Sequence, residues 1–310
     1  MRIFLVSLLS IMAMPFGANA FSTDTELCFT GSGSHRIDID VCSWALREEI
    51  PSPLTHATLL IRRGKAFLSG KIYELALQDF SGALSHNPAS SEAHKLRGDT
   101  FTKGGNYRIA VKSYDQSLRL NSYAAGAYKG RGLARILSGK FESAIENFDS
   151  SLALVHTDPE TIALRAIANF ALGKYKNAEV GMQDALNRAY PYYFGYLWAH
   201  AAARLSGISP DAHIQAALSE TDPEIWPGQL IRGVFDPSTE TAARVAAIDK
   251  NDQRHKRRQL QIDFYFGLRA MLDGLPAKAR ADFTKVANTD GIFDAVEIPV
   301  ARRLLVILPN

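Results

Sequence analysis

Cys28 and Cys42 are the only thiols in a sequence of 310 residues, and they stand fourteen positions apart. That spacing is not the Cys-x-x-Cys of a redox pair. A metal held by two thiolates needs further ligands, and only His35 lies between them. A structural disulfide is the expected chemistry if the compartment oxidises, and closing so short a loop stabilises by about 3 kcal/mol in a chain-entropy reckoning. The eight histidines are scattered. His86 and His94 are near one another, at a junction that reads as surface. The chain has no Gly-x-Ser-x-Gly elbow, phosphate loop, His-Glu-x-x-His pair or paired metal cysteines. No catalytic residue, cofactor or metal is therefore expected, and catalysis is the disfavoured reading.

What remains is binding, and composition narrows it. Hydrophobic residues make up 46%, charged residues 22%, and the net charge is +3. Nonspecific nucleic-acid binding needs a concentrated basic surface, so nucleic acid is not expected as a partner. The one dense basic run, residues 254–258, reads as a solvated turn of helix. Residues 1–20 read as a cleavable export signal: Arg2, an apolar run over 3–14, Pro15 and Gly17 as breakers, then Ala18-Asn19-Ala20. The run is shorter than the roughly 20 residues that span a bilayer, and no second run matches it. The alternative is a buried N-terminal helix. Cleavage at Ala20–Phe21, without a following cysteine for lipid attachment, predicts an exported, periplasmic chain that oxidises its two thiols.

The elements follow from a strict repeat. Arg63-Gly64, Arg97-Gly98 and Arg131-Gly132 lie 34 residues apart. The same step carries Ala76 to Ala110, Ala144 and Ala178, and Phe80 to Tyr114, Phe148 and Met182. Four units without gaps, over 57–192, each predict two helices too short to be stable alone. The small residue at position eight (Gly64, Gly98, Gly132, Ala166) lets helices approach, with bulky aromatics filling the space beside it. Ser69-Gly70-Lys71 and Ser138-Gly139-Lys140 supply turns between helices. The arginine recurring at 63, 97, 131 and 165, near Asp79, Asp115 and Asp149, is expected to form an interhelical ion-pair ladder, with ligand binding as the alternative.

This pattern resembles the tetratricopeptide repeat. The likeness implies an all-α, right-handed superhelical solenoid of about six helix-turn-helix units with capping helices at both ends. A cap over residues 21–56 would hold a helix at 37–49, tied by Cys42 to an extended start. A degenerate fifth unit and an irregular connector fill 193–259, with short helices at 227–234 and 238–249. Asp236 caps the second, with Pro237 as its first residue. A terminal unit and final helix fill 260–310.

In that family the first helices line a concave groove, which implies specific binding residues. Lys65, Lys95, Asp99 and Lys103 would form a mainly basic rim. Lys129 would stand beside an apolar floor of Leu133, Ile136, Leu137, Ile167 and Phe170. Such a groove suits a peptide or helix with apolar and acidic side chains. Self-association over the same floor, giving a homo-oligomer, is the alternative. The chaperone-type carboxylate clamp is not matched, since its positions here are Ile61, Lys65, Leu96, Gly126 and Gly130.

Ile225-Trp226-Pro227, followed by Phe264-Tyr265-Phe266-Gly267 and a capped terminal repeat, resembles NlpI-type envelope lipoproteins. In that family the repeats coordinate peptidoglycan hydrolases and a periplasmic protease. The expected function is a periplasmic adaptor for envelope proteins; the alternative is an assembly subunit of a secretion, motility or surface-polymer machine.

Overall fold

Helix starts follow the capping residues. Ser52 accepts the Thr55 N–H at 3.1 Å ahead of Pro53, and Ser90 accepts the Ala93 N–H at 3.1 Å. The structure, a computed structural model, describes residues 23–47, 52–188, 193–209, 211–222, 224–248 and 251–309. The expected signal, residues 1–20, lies outside them, as does the Ala20–Phe21 junction.

Among the described residues the fold is all α. Helices α1 (Thr23–Thr30) and α2 (His35–Ala45) precede the repeats. The four regular units pair α3 (Pro53–Ser69) with α4 (Tyr73–His86), and α5 (Ser91–Lys103) with α6 (Tyr107–Leu120). They then pair α7 (Ala125–Leu137) with α8 (Phe141–Leu154), and α9 (Pro159–Ala171) with α10 (Tyr175–Asn187). A fifth pair is α11 (Gly195–Leu205) with α12 (Asp211–Glu220). Then come α13 (Gly228–Phe235), a 3-10 turn at Pro237–Thr239 and α14 (Glu240–Ala246). The last pair, α15 (Asp252–Leu272) and α16 (Pro276–Ala287), is followed by α17 (Glu297–Ile307).

Close approach at glycine sets the packing within a unit. A Cβ on Gly64, Gly98, Gly132 or Gly267 would come within 2.6 to 2.9 Å of the ring of Phe80, Tyr114, Phe148 or Phe283. Real Cβ atoms do not approach so closely, so the two helices of each unit can touch only where the side chain is absent. Ala76, Ala110, Ala144 and Ala178 are buried on the second helices. One hydrophobic core then runs from Ile136 to Leu308, joining units three to six with α17.

Four expectations change. The start of the chain is helical: α1 lies on α2, and the Cys28–Cys42 disulfide joins the two helices. Helix α15 begins at Asp252 rather than near residue 260, because Asn251 accepts the Arg254 N–H at 2.9 Å and starts it there. The expected helix at 238–249 is shorter. Asp236 accepts the Ser238 N–H at 3.0 Å and opens a 3-10 turn before α14, which ends at Ala246. The turn glycine of unit one is displaced by one residue. Gly105, Gly139, Gly173 and Gly207 hold φ between 73° and 80°, and the position 34 residues before Gly105 is Lys71, at φ 61°. Gly70 is the C-cap of α3 instead.

Candidate protein-binding faces

The expected rim lysines are present, and acids meet most of them. Lys65 pairs with Glu92, bridging units one and two. Lys95 donates to Asp99 Oδ2 at 2.7 Å, while the Tyr114 hydroxyl donates to Asp99 Oδ1 at 2.8 Å. Burial followed by the Asp99 charge pushes the Tyr114 hydroxyl pKa well up, which keeps that proton in place. Lys129 meets Glu160 at 2.7 Å and Asp158 at 3.1 Å, bridging units three and four. Burial alone would lower the Lys129 pKa; the bonds to Glu160 and Asp158 outweigh it and raise it. Lys103 is exposed at the end of α5. The rim is therefore a row of matched pairs along the first helices rather than a basic edge.

The expected apolar floor is corrected. Ile136, Ile167 and Phe170 are 0%, 1% and 1% exposed, Leu137 is buried, and Leu133 packs half-buried on the same core. Two covers explain this. Trp198 of unit five sets its ring edge to face against Phe170, with centroids 5.1 Å apart. Helix α17 contacts α7 and α9 as well as α16, and buries Val300, Ala301 and Leu304 in the shared core. The last helix does more than cap unit six: it occupies the concave side of units three and four. A partner cannot use a floor that the chain itself fills.

The arginine ladder is present, with alternating partners. Arg63 is bidentate to Asp79 of its own unit, at 2.8 and 2.6 Å. Arg131 and Arg165 reach back to Asp115 and Asp149 of the preceding units, at 2.5 and 2.8 Å. Arg97 meets Ser113 at a long 3.4 Å. Burial lowers the Arg97 pKa.

Sequence reasoning did not place the return of the chain from unit six to unit two. The Tyr107 hydroxyl donates to the Phe293 carbonyl at 2.5 Å, across 186 residues. A Cβ on Gly105 would stand 2.7 Å from the Phe293 ring. Beside this clasp lies a cavity of about 1040 Å³, lined among others by Lys71, Lys103, Arg254, Arg257 and Asp294. A smaller cavity of about 310 Å³, around Tyr193, Phe194 and Trp226, shares Arg254 and Arg257 with it. The one legible signal was Lys71, which breaks the 34-residue recurrence of turn glycine. Among the described residues, no cluster of His, Cys, Asp and Glu could hold a metal ion.

No family model and no curated protein matches the chain. Among solved structures, a tetratricopeptide-repeat protein from Parabacteroides merdae aligns at a TM-score of 0.53 and 15% identity. That alignment covers 91% of this chain and 97% of the other. The C-terminal part of a TPR repeat-containing protein from Cytophaga hutchinsonii aligns at 0.52 and 17% identity, over 87% and 95%. With a 34-residue step in the sequence, paired helices at the same step and whole-length likeness to these folds, the chain is a tetratricopeptide-repeat solenoid.

Proposed function

We propose that the protein is an exported, periplasmic adaptor that holds cell-envelope proteins, peptidoglycan hydrolases or a protease among them, on the inward face of its first two units. One observation carries this reading. Helix α17 covers α7 and α9, while Lys65, Lys95, Asp99 and Lys103 on α3 and α5 keep exposed surface. A repeat array presenting ordered charged pairs selects partners through complementary charge, with apolar contacts adding affinity. The Cys28–Cys42 bond supports export, since such bonds persist in oxidising compartments. Among the described residues, no helix is long and apolar enough to cross a membrane.

The test is crosslinking in the native cell, followed by capture with the wild type and with a Lys65→Glu, Lys95→Glu double variant. Recovery of hydrolases or a protease by the wild type, lost in the variant at unchanged helicity, is the expected outcome. Equal recovery by both removes the first two units from the account. Recovery of secretion, motility or surface-polymer components instead makes the protein an assembly subunit.

A further inference from the structure

Lys71 is the only described residue other than glycine with positive φ. At this position the next four units carry glycine, which adopts the left-handed region without steric penalty, whereas a side chain there is strained. Strain of this kind persists where the surrounding structure imposes it, and it concentrates at binding sites. The Lys71 side chain lines the large cavity at the clasp, opposite the start of α15. Four cations (Lys71, Lys103, Arg254 and Arg257) face that space against one carboxylate, Asp294. The excess equals the net charge of the whole chain, +3, so charges elsewhere balance while this cleft does not.

The second cavity gives the site an apolar end. Arg254 and Arg257 lie three residues apart on one face of α15 and line both spaces. Beyond them Tyr193, Phe194 and Trp226 form an aromatic pocket, with the Arg258 guanidinium 5.3 Å over the Trp226 ring. A space of about 1040 Å³ exceeds what one small anion fills, and its cations are spread along it.

We propose that the clasp binds an acidic peptide segment of a partner protein. Its carboxylates meet Lys71, Lys103 and the two arginines, and one apolar side chain enters the aromatic pocket. The proposal rests on the adaptor reading and adds a second site to it, away from Lys65 and Lys95.

Fluorescence anisotropy with a labelled twelve-residue peptide tests it, the peptide holding aspartates and glutamates around one central phenylalanine. Three further probes are the same peptide with lysines for acids, the acidic peptide with serine for phenylalanine, and a galacturonate oligomer of equal charge. The expected result is binding of the acidic peptide that weakens with salt, weakens when phenylalanine is removed, and exceeds that of the lysine peptide. Lys71→Gly with Lys103→Ala should weaken it at least about fivefold. Lys71→Gly alone should leave the melting temperature equal or higher, because glycine relieves the turn. A purely structural Lys71 would give the stability gain without the loss of binding, and that overturns the proposal. So does a wild type that ignores the acidic peptide, or that prefers the galacturonate. Indifference to phenylalanine overturns the aromatic end. If envelope capture is lost in Lys65→Glu, Lys95→Glu yet peptide binding survives Lys71→Gly, Lys103→Ala, the adaptor stands and the clasp site falls.

Discussion

Tyr114 is clamped between two backbones: a Cβ on Gly98 would stand 2.8 Å from its ring, and one on Gly130 of the next unit 2.6 Å. Its hydroxyl goes on to Asp99 at 2.8 Å. The ring thus joins the two helices of unit two and passes the contact to unit three. Gly98→Ala should destabilise by about 1–3 kcal/mol and Gly98→Leu by more, since the ring is buried and has nowhere to move. Lys103→Ala, at an exposed position, should stay within about 0.5 kcal/mol. Thermal denaturation ranks the three; a Lys103→Ala more damaging than Gly98→Leu would sink this account of the repeat.

Phe170→Ala should lower stability by about 3–5 kcal/mol, because Phe170 is buried against Tyr175 and Trp198. Urea titration reads it as a lower midpoint at a similar slope. A groove-floor role predicts the reverse, weaker partner binding at unchanged stability.

Ser113 occupies in unit two the place of Asp79 in unit one, 34 residues earlier. Arg63 has a bidentate carboxylate there, whereas Arg97 has only the Ser113 hydroxyl at 3.4 Å. Ser113→Asp should therefore stabilise by about 0.5–1.5 kcal/mol at neutral pH. With Arg97 holding its pKa below the unfolded value, that gain is present above the ordinary carboxylate range. It disappears as pH falls through the depressed folded value. A variant less stable than wild type at pH 7 would show that the site cannot take the charge.

Removing the Tyr107 hydroxyl unties the clasp. Tyr107→Phe should destabilise by about 1 kcal/mol and speed hydrogen exchange in residues 293–307 more than in α5 or α6. Gly105→Ala should do more, since it strains a residue at φ 80° and drives a methyl into Phe293. Uniform exchange across the chain would mean that the clasp is not a separate unit of stability.

Replacing Cys28 and Cys42 with serine should lower stability by about 3 kcal/mol, with the loss centred on α1 and α2. Both sulfurs are buried between those helices and α3. Non-reducing mass spectrometry of the purified protein should find it two hydrogens lighter than the dithiol. Free thiols that alkylate without denaturant would exclude the bond.

The sequence by itself determined the repeat, because helix starts, small residues and aromatics recur at a step that local chemistry can read. Gly64, Gly98 and Gly132 predict close helix contacts, and Arg131 and Arg165 predict an ion-pair ladder; both are found, with Phe80, Tyr114 and Phe148 and with Asp115 and Asp149 as partners. What a repeat cannot reveal is where the superhelix meets its own end. Ile136, Ile167 and Phe170 have the right register for a groove floor, yet they are buried, because α17 and Trp198 arrive from 28 to more than a hundred residues away. Their apolarity is the same whether a partner or the chain covers them. Only the tertiary structure decides which, since it alone sets the distance between α17 and α9, and between Lys71 and Arg257.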